Sequence, residues 1–267
     1  MKLIINRSLL FGLICMLTLA LAGALPARTS AQAGGCNAPQ LICLAAKNQD
    51  LSLTLRDHCR YQQRVRIELF KKKKGGEEGD LDKVRETTVV VEPSTNIDET
   101  GKYPVLSRVV EDTDDKGKPK KNVDPKARTG LASGAFLDLI FFPLLPEKIS
   151  YYEFEEIVSD RQGEKLYRFL PKPGSTSVTL ASGKVYLNPQ TGAVLTLKID
   201  SLHNLEVLDK VLKKLESVYA TVDFSEFEGK YRMPTYAKGG GVSDVSKFKG
   251  IFKFNFEESK YTQVLKL

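Results

Sequence analysis

Histidine is nearly absent from this chain. Only His58 and His203 occur in 267 residues, so a histidine-dependent triad has to use one of them. Catalysis needs a base, a nucleophile or a metal within hydrogen-bond reach of one another. His58 precedes Cys59 and reads either as half of a thiol–imidazole pair or, more plainly, as a surface residue beside a disulfide cysteine. No G-x-S-x-G nucleophile turn is present, since Gly130-Leu131-Ala132-Ser133-Gly134 is one residue off register. Also missing are H-E-x-x-H, a phosphate-binding loop and a dinucleotide fingerprint. Gly239-Gly240-Gly241 reads as a loop without the fixed spacing such motifs need. Cysteine is sparse, with four residues and no C-x₂₋₄-C pair, which argues against zinc. No cofactor and no metal are expected.

Long apolar runs are missing after Ala33, where nothing approaches the ~18 residues of a spanning helix. The chain's start is different. Lys2 and Arg7 precede an uncharged stretch from Ser8 to Ala27, apolar from Leu9 to Leu25, and Ala31-Gln32-Ala33 follows. Basic start, apolar middle and A-x-A end are the parts of a secretory signal. An uncleaved anchor is the alternative; Pro26 and the small residues up to Ala33 favour cleavage. Residues 1–33 are therefore expected to be a signal peptide, and the rest to work in the periplasm or outside the cell. Losing Lys2, Arg7 and Arg28 lowers the formal charge from +7 to about +4. The remaining basic residues are interleaved with acids, which argues against nucleic acid.

Cys36, Cys43 and Cys59 remain after cleavage, and an oxidising compartment would pair two of them. Lipidation of Cys36 at the new N-terminus would leave a Cys43–Cys59 disulfide. Against lipidation, Ala33 rather than Leu stands three residues before Cys36, and the apolar run ends well upstream.

Residues 34–59 form an N-terminal segment with room for a short helix, which Asn48-Gln49-Asp50 would stop or recap. From Tyr61 the period becomes two: Val65, Ile67 and Leu69 alternate with Arg64, Arg66 and Glu68. Lys71 to Gly79 makes a charged hairpin tip: its four lysines could contact an anionic surface, but the adjacent acids favour a solvated loop; Lys83 to Glu92 is the returning strand and Tyr103 to Val110 a third. Asp112 to Asp124 reads as a flexible excursion. The most apolar part follows, Leu131 to Leu145, inside an insertion at 126–147. It is either a helix and turn plugging the domain's own core or an amphipathic lid over a lipid-sized cavity.

Strands resume at Tyr152. Glu153 and Glu155 share a water-facing side opposite Phe154, and with Glu156 they leave a strand-borne carboxylate pair open as a hydrolase reading. Leu166 to Leu170 pairs back, and Lys184 to Leu187 turns through Asn188 to Gly192 into Ala193 to Asp200. Leu205, Leu208, Val211, Leu212 and Leu215 recur at three and four, which predicts a helix over Asn204 to Leu215. Val218 to Phe224 and Tyr231 to Ala237 are again strands. In the last, Phe248, Phe252, Phe254 and Phe256 share a face opposite Lys247, Lys249, Lys253 and Asn255. Nine or ten strands joined by tight turns imply antiparallel pairing in one domain over 60–267.

Several of these segments together resemble a known group. Tyr152-x-Phe154, Tyr167-Arg168-Phe169-Leu170-Pro171, Gly183 to Asn188, Thr191-Gly192-Ala193-Val194 and Arg232-Met233-Pro234 precede Phe248-x-Gly250-x-Phe252-x-Phe254-x-Phe256 and Tyr261. The pattern resembles the exported bacterial proteins grouped with the outer-membrane lipoprotein-sorting protein, the LolA/LolB-like superfamily. It covers most of 60–262 and is stronger over 147–256. The resemblance implies a mainly β (α+β) fold: a strongly curved antiparallel sheet, a half-barrel, with one or two helices plugging its concave face. It also implies an apolar cavity for lipid or acyl chains, which on this chain would be lined by Phe136, Leu139, Ile140, Phe142, Phe154, Phe169, Phe252 and Phe254. The lipoprotein carrier itself is shorter, and lacks the 112–124 excursion and the long 71–82 loop. The expectation is a monomeric, non-enzymatic carrier or binder of a lipid or lipidated partner, a lipoprotein or another envelope protein. The alternatives are a lipid-free interaction or stress-sensor module, and the hydrolase.

Overall fold

The computed structural model describes residues 36–96, 104–124, 135–245 and 249–266. The expected signal peptide, Leu131, the Ser133 segment and Phe248 lie outside the described residues. The first element is helix α1, Gln40–Asp57. Three strands follow, β1 (Cys59–Lys72), β2 (Glu78–Pro93) and β3 (Val105–Asp112), then helix α2 (Ala135–Phe141). Seven more strands complete the chain: β4 (Tyr152–Ile157), β5 (Lys165–Pro171), β6 (Leu180–Leu187), β7 (Val194–His203), β8 (Leu215–Phe227), β9 (Tyr231–Ser243) and β10 (Gly250–Gln263). A single turn of helix, α3 (Leu205–Leu208), precedes β8.

All ten strands form one antiparallel sheet in the order β3-β2-β1-β10-β9-β8-β7-β6-β5-β4. The order explains the topology. β1 to β3 meander outward, the chain crosses to the opposite edge, and β4 to β10 meander back until β10 pairs with β1. The first and last strands are thus the sheet's centre, with Val65 opposite Phe256 and Leu69 opposite Phe252. β3 and β4 do not meet, so the curved sheet stays open: a half-barrel rather than a closed one.

Period-two alternation sets the two faces. Arg64 and Arg66 are exposed while Val65 is buried, and Phe252, Phe254 and Phe256 are buried between half-buried Lys253 and Asn255. An antiparallel sheet with one wet face must cover the other. α1 and residues 136–145 do so, and their side chains merge with those of the strands into one core. A smaller cluster joins Leu55, Tyr61, Val89, Val91, Val109 and Met233.

Four sequence expectations are corrected here. α1 does not stop at Asn48-Gln49-Asp50 but runs eighteen residues, because Gln49, Ser52 and Arg56 continue its buried stripe with polar side chains. The excursion after Asp112 is folded: Thr113 bridges Pro119 and Val84 bridges Lys116, while buried Asp112 binds Arg85 and Lys120. Gly239 to Gly241 are not a loop but part of β9. Gly239 lies opposite Phe254 and Gly241 opposite Phe252. A Cβ on Gly239 would sit 2.7 Å from the Phe254 ring, and one on Gly241 2.9 Å from the Phe252 ring. The glycines are the space into which the rings lie down.

The helix expected over Asn204 to Leu215 is broken. α3 ends at Leu208, Asp209 is extended at φ −156°, and a 3₁₀ turn covers Leu212–Lys214. The Asp209 carboxylate accepts the Val211 N–H at 2.8 Å, the local competition that makes Asp a poor helix-interior residue. Leu205 and Leu215 are buried, but Leu208 and Val211 face solvent.

Candidate site: a plugged hollow and its polar latch

The concave face supplies the candidate site. Seven of the eight residues expected to line a cavity are buried in one cluster: Phe136, Leu139 and Ile140 on α2, Phe142 just after it, Phe169 on β5, and Phe252 and Phe254 on β10. Phe154 on β4 packs against them half-buried. They meet as tightly packed side chains. Phe141 makes an edge-on contact with Phe256 at 6.3 Å between centroids, Phe142 with Phe224 at 6.4 Å, and Tyr152 with Phe169 at 5.6 Å. Residues 135–145 thus occupy the hollow as a plug.

What holds the plug was not foreseen. Gln49 of α1, buried, donates from Nε2 to the Phe141 carbonyl at 3.1 Å and accepts the Leu144 N–H on Oε1 at 3.0 Å. It therefore pairs both backbone groups freed where α2 ends, which could not otherwise be solvated. Two helical turns on, Arg56 reaches Asp138 of α2 at 3.4 Å. The same guanidinium grips Glu258 of β10 with two bonds, Nε to Oε2 at 3.0 Å and Nη2 to Oε1 at 2.7 Å. Gln63 of β1 donates to Glu258 Oε1 at 2.7 Å, and the Tyr261 hydroxyl donates to Oε2. The guanidinium also lies over the rings of Tyr61 and Phe141, at 4.9 and 5.6 Å.

Position along β10 explains the change of chemistry. The inward stripe Phe252, Phe254, Phe256 continues two residues on as Glu258, so the hollow is aromatic along its length and charged at one end. Burial would lower the Arg56 pKa, but the adjacent Glu258 holds it well above its usual value. Asp138 behaves oppositely. Burial pushes its carboxyl up to about 6, although Arg56 pulls it down.

The other candidates separate from this site. Cys36 and Cys43 are disulfide-bonded and Cys59 is a free, buried thiol, which corrects the expected Cys43–Cys59 pairing. The same bond occupies the sulfur on which lipidation of Cys36 depends. Burial, with a smaller push from Glu228, raises the Cys59 thiol to about 11, far from the thiolate a nucleophile needs. Glu155 pairs with Arg168 at 3.2 Å, and Glu156 with Lys165 and the Tyr167 hydroxyl, so those carboxylates are tied across β4 and β5. His203, not singled out beyond its scarcity, accepts or donates through Nε2 to Ser201 at 3.0 Å and Ser182 at 3.1 Å. Ser182 is buried, burial lowers the imidazole's pKa, and among the described residues no carboxylate bonds to the ring. A register shift in the β6–β7 pairing at Ser182 brings these side chains together, and sequence spacing carries no trace of it.

A groove of 190 Å³ opens on the other face, lined by Arg64, Arg66, Glu86, Tyr236, Asn255 and Glu257. Its two arginines are already paired, Arg64 with Glu86 at 2.6 Å and Arg66 with Glu68 at 2.8 Å. Among the described residues no His, Cys, Asp or Glu cluster suits a metal ion, and no helix is long and apolar enough to cross a membrane.

No family model matches this chain, and no curated protein is similar to it in sequence. Solved structures are similar at low identity. An outer membrane lipoprotein-sorting protein domain from Vibrio parahaemolyticus shares 9% identity, with a TM-score of 0.35 over 84% of this chain and 94% of that one. A LolA superfamily protein from Nitrosomonas europaea shares 9%, at 0.30 over 82% and 94%. A DUF1329 family protein from Desulfovibrio piger shares 12%, at 0.37 over 85% and 93%. No residue role is carried over from any of them.

Proposed function

We propose that the protein is exported and acts outside the cytoplasm as a non-enzymatic carrier or binder of a lipid or lipidated partner. It takes an acyl chain into the space that residues 135–145 fill here. The observation that carries this reading is the latch. A segment serving only as core would be held by apolar packing, whereas this one is fastened by Gln49 and by the Arg56–Asp138 contact. In some proteins such polar contacts add little net stability yet select one arrangement over another, and the Gln49 and Arg56 contacts would do so for this segment. With the plug displaced, Phe169, Phe252, Phe254 and Phe256 would face an open hollow. An acyl chain entering it restores the lost burial at about 25 cal/mol per Å² and needs no catalytic group. The disulfide-bonded Cys36 and Cys43 agree with an oxidising compartment.

A second reading, a lipid-free module that binds another envelope protein, is favoured by the packed interior itself. Organic extraction of the purified protein followed by mass spectrometry separates the two. Co-purifying acyl lipid, or saturable uptake of an apolar fluorescent probe, supports the carrier. Absence of both, with a protein partner recovered by envelope crosslinking, overturns it.

A further inference from the structure

The break in the 204–215 helix leaves an unusual surface. Leu205 and Leu215 anchor the segment in the core with half-buried Leu212, while Val207, Leu208 and Val211 project into water at 50, 37 and 52% exposure. Lys210, Lys213 and Lys214 surround them, all exposed. The lysine-rich β1–β2 tip is drawn to the same end of the sheet, because Lys72 pairs with Glu216 at 3.1 Å. The end of β9 joins it, since the Asp244 N–H donates to the Lys214 carbonyl at 2.8 Å and its carboxylate pairs with Lys249.

The acids of this end are largely engaged. Glu216 and Asp244 are held by Lys72 and Lys249, Glu78 and Asp82 by Lys253 and Lys71, and Asp209 caps its own turn; Glu77, Asp80 and Glu206 stay exposed. Among the described residues Lys73, Lys74, Lys210, Lys213 and Lys214 have no carboxylate within 4.0 Å. Three outward aliphatic side chains at the same end as unpaired lysines fit one kind of surface: apolar tips enter the acyl boundary while ammonium groups meet anionic headgroups.

We propose that Val207, Leu208 and Val211, with Lys73, Lys74, Lys210, Lys213 and Lys214, form a docking face for an anionic lipid bilayer. The face lies outside the plugged hollow, and its failure leaves that reading intact. Co-sedimentation of the purified protein with phosphatidylglycerol-containing vesicles, against pure phosphatidylcholine vesicles, tests it. Binding is expected to the anionic vesicles alone and to weaken as salt rises. The double variant Val207→Ser, Val211→Ser is expected to bind about tenfold more weakly. Lys213→Gln and Lys214→Gln should each weaken binding about fivefold, while Lys238→Gln, within β9 between Thr221 and Asn255, leaves it unchanged. Any of four outcomes overturns the proposal: no vesicle binding, equal binding to neutral vesicles, an unaffected serine variant, or Lys238→Gln weakening binding as much as Lys213→Gln. Self-association of the protein that the serine variant abolishes, without vesicle binding, assigns the face to a second copy instead.

Discussion

Arg56 of α1 and Glu258 of β10, 202 residues apart, meet with both side chains almost wholly out of water and 2.7 Å between Nη2 and Oε1. Taking two charges from water costs several kcal/mol each, which their pairing offsets together with the Gln63 and Tyr261 bonds to Glu258. Removing one partner strands the other. Arg56→Met is therefore expected to lower unfolding free energy by about 3–5 kcal/mol in urea titration. The double variant Arg56→Met, Glu258→Met should be more stable than either single one. Equal losses in all three variants would show that the pair does not behave as a buried unit.

Asp138 links the same arginine to the plug and sets a pH dependence. Burial raises its carboxyl to about 6, above the ordinary carboxylate value, so the folded protein holds this proton more tightly than the unfolded chain. Stability from this group is full below about pH 4 and is lost as pH rises through about 6. With its side chain 36% exposed, the effect is screened to on the order of 1 kcal/mol. Asp138→Asn should raise the melting temperature at pH 8 and leave it nearly unchanged at pH 4. A variant less stable at pH 8 than the parent contradicts this.

These two residues also show what the sequence discloses. The strands were readable because one face of each is apolar and the other charged, as in Val65 to Leu69 or Phe252 to Phe256. α1 was barely readable because its buried stripe turns polar at Gln49, Ser52 and Arg56, and the partners of Gln49 and Arg56 lie on distant elements. The helix over Asn204 to Leu215 misled for the opposite reason. Its apolar spacing is helical, but Asp209 takes the Val211 N–H and turns Leu208 and Val211 outward. The shared burial of the aromatic stripe was therefore legible and the latch was not, since nothing local marks Glu258 as the inward continuation of three phenylalanines.

The glycines of β9 yield a packing prediction. Gly241 lies flat beneath the Phe252 ring, and a Cβ there would also strike the Ser217 carbonyl of β8. Side-chain movement relieves only the first contact. Gly241→Ala is expected to cost about 1–3 kcal/mol, read by thermal unfolding, and Phe252→Leu should not restore it. Full restoration would place the clash on the ring alone.

Cys59 predicts a reactivity pattern. Its thiol is buried and raised to about 11, whereas Cys36 and Cys43 are joined in disulfide. Native protein should resist iodoacetamide at pH 8 and expose the Cys59 thiol to it in denaturant without reductant. Rapid labelling of native protein would mean that Cys59 is accessible after all.

Gln49 offers the most direct test of the latch. Gln49→Leu keeps the side chain's size but leaves the Phe141 carbonyl and the Leu144 N–H without their partner at the end of α2, at about 1–3 kcal/mol for each buried group. The loss falls on the segment that fills the hollow. The variant should therefore take up an apolar fluorescent probe faster and more fully than the parent, besides melting at lower temperature. Loss of stability alone produces some probe binding, so the comparison needs a variant weakened elsewhere. Val109→Ala serves, because Val109 belongs to the smaller cluster around Tyr61 and Met233 rather than to the core beneath the plug. If the latch governs the hollow, Gln49→Leu gains probe uptake under native conditions while Val109→Ala, at similar melting temperature, does not. Equal uptake by both, or by neither, would leave Gln49 as ordinary structural support.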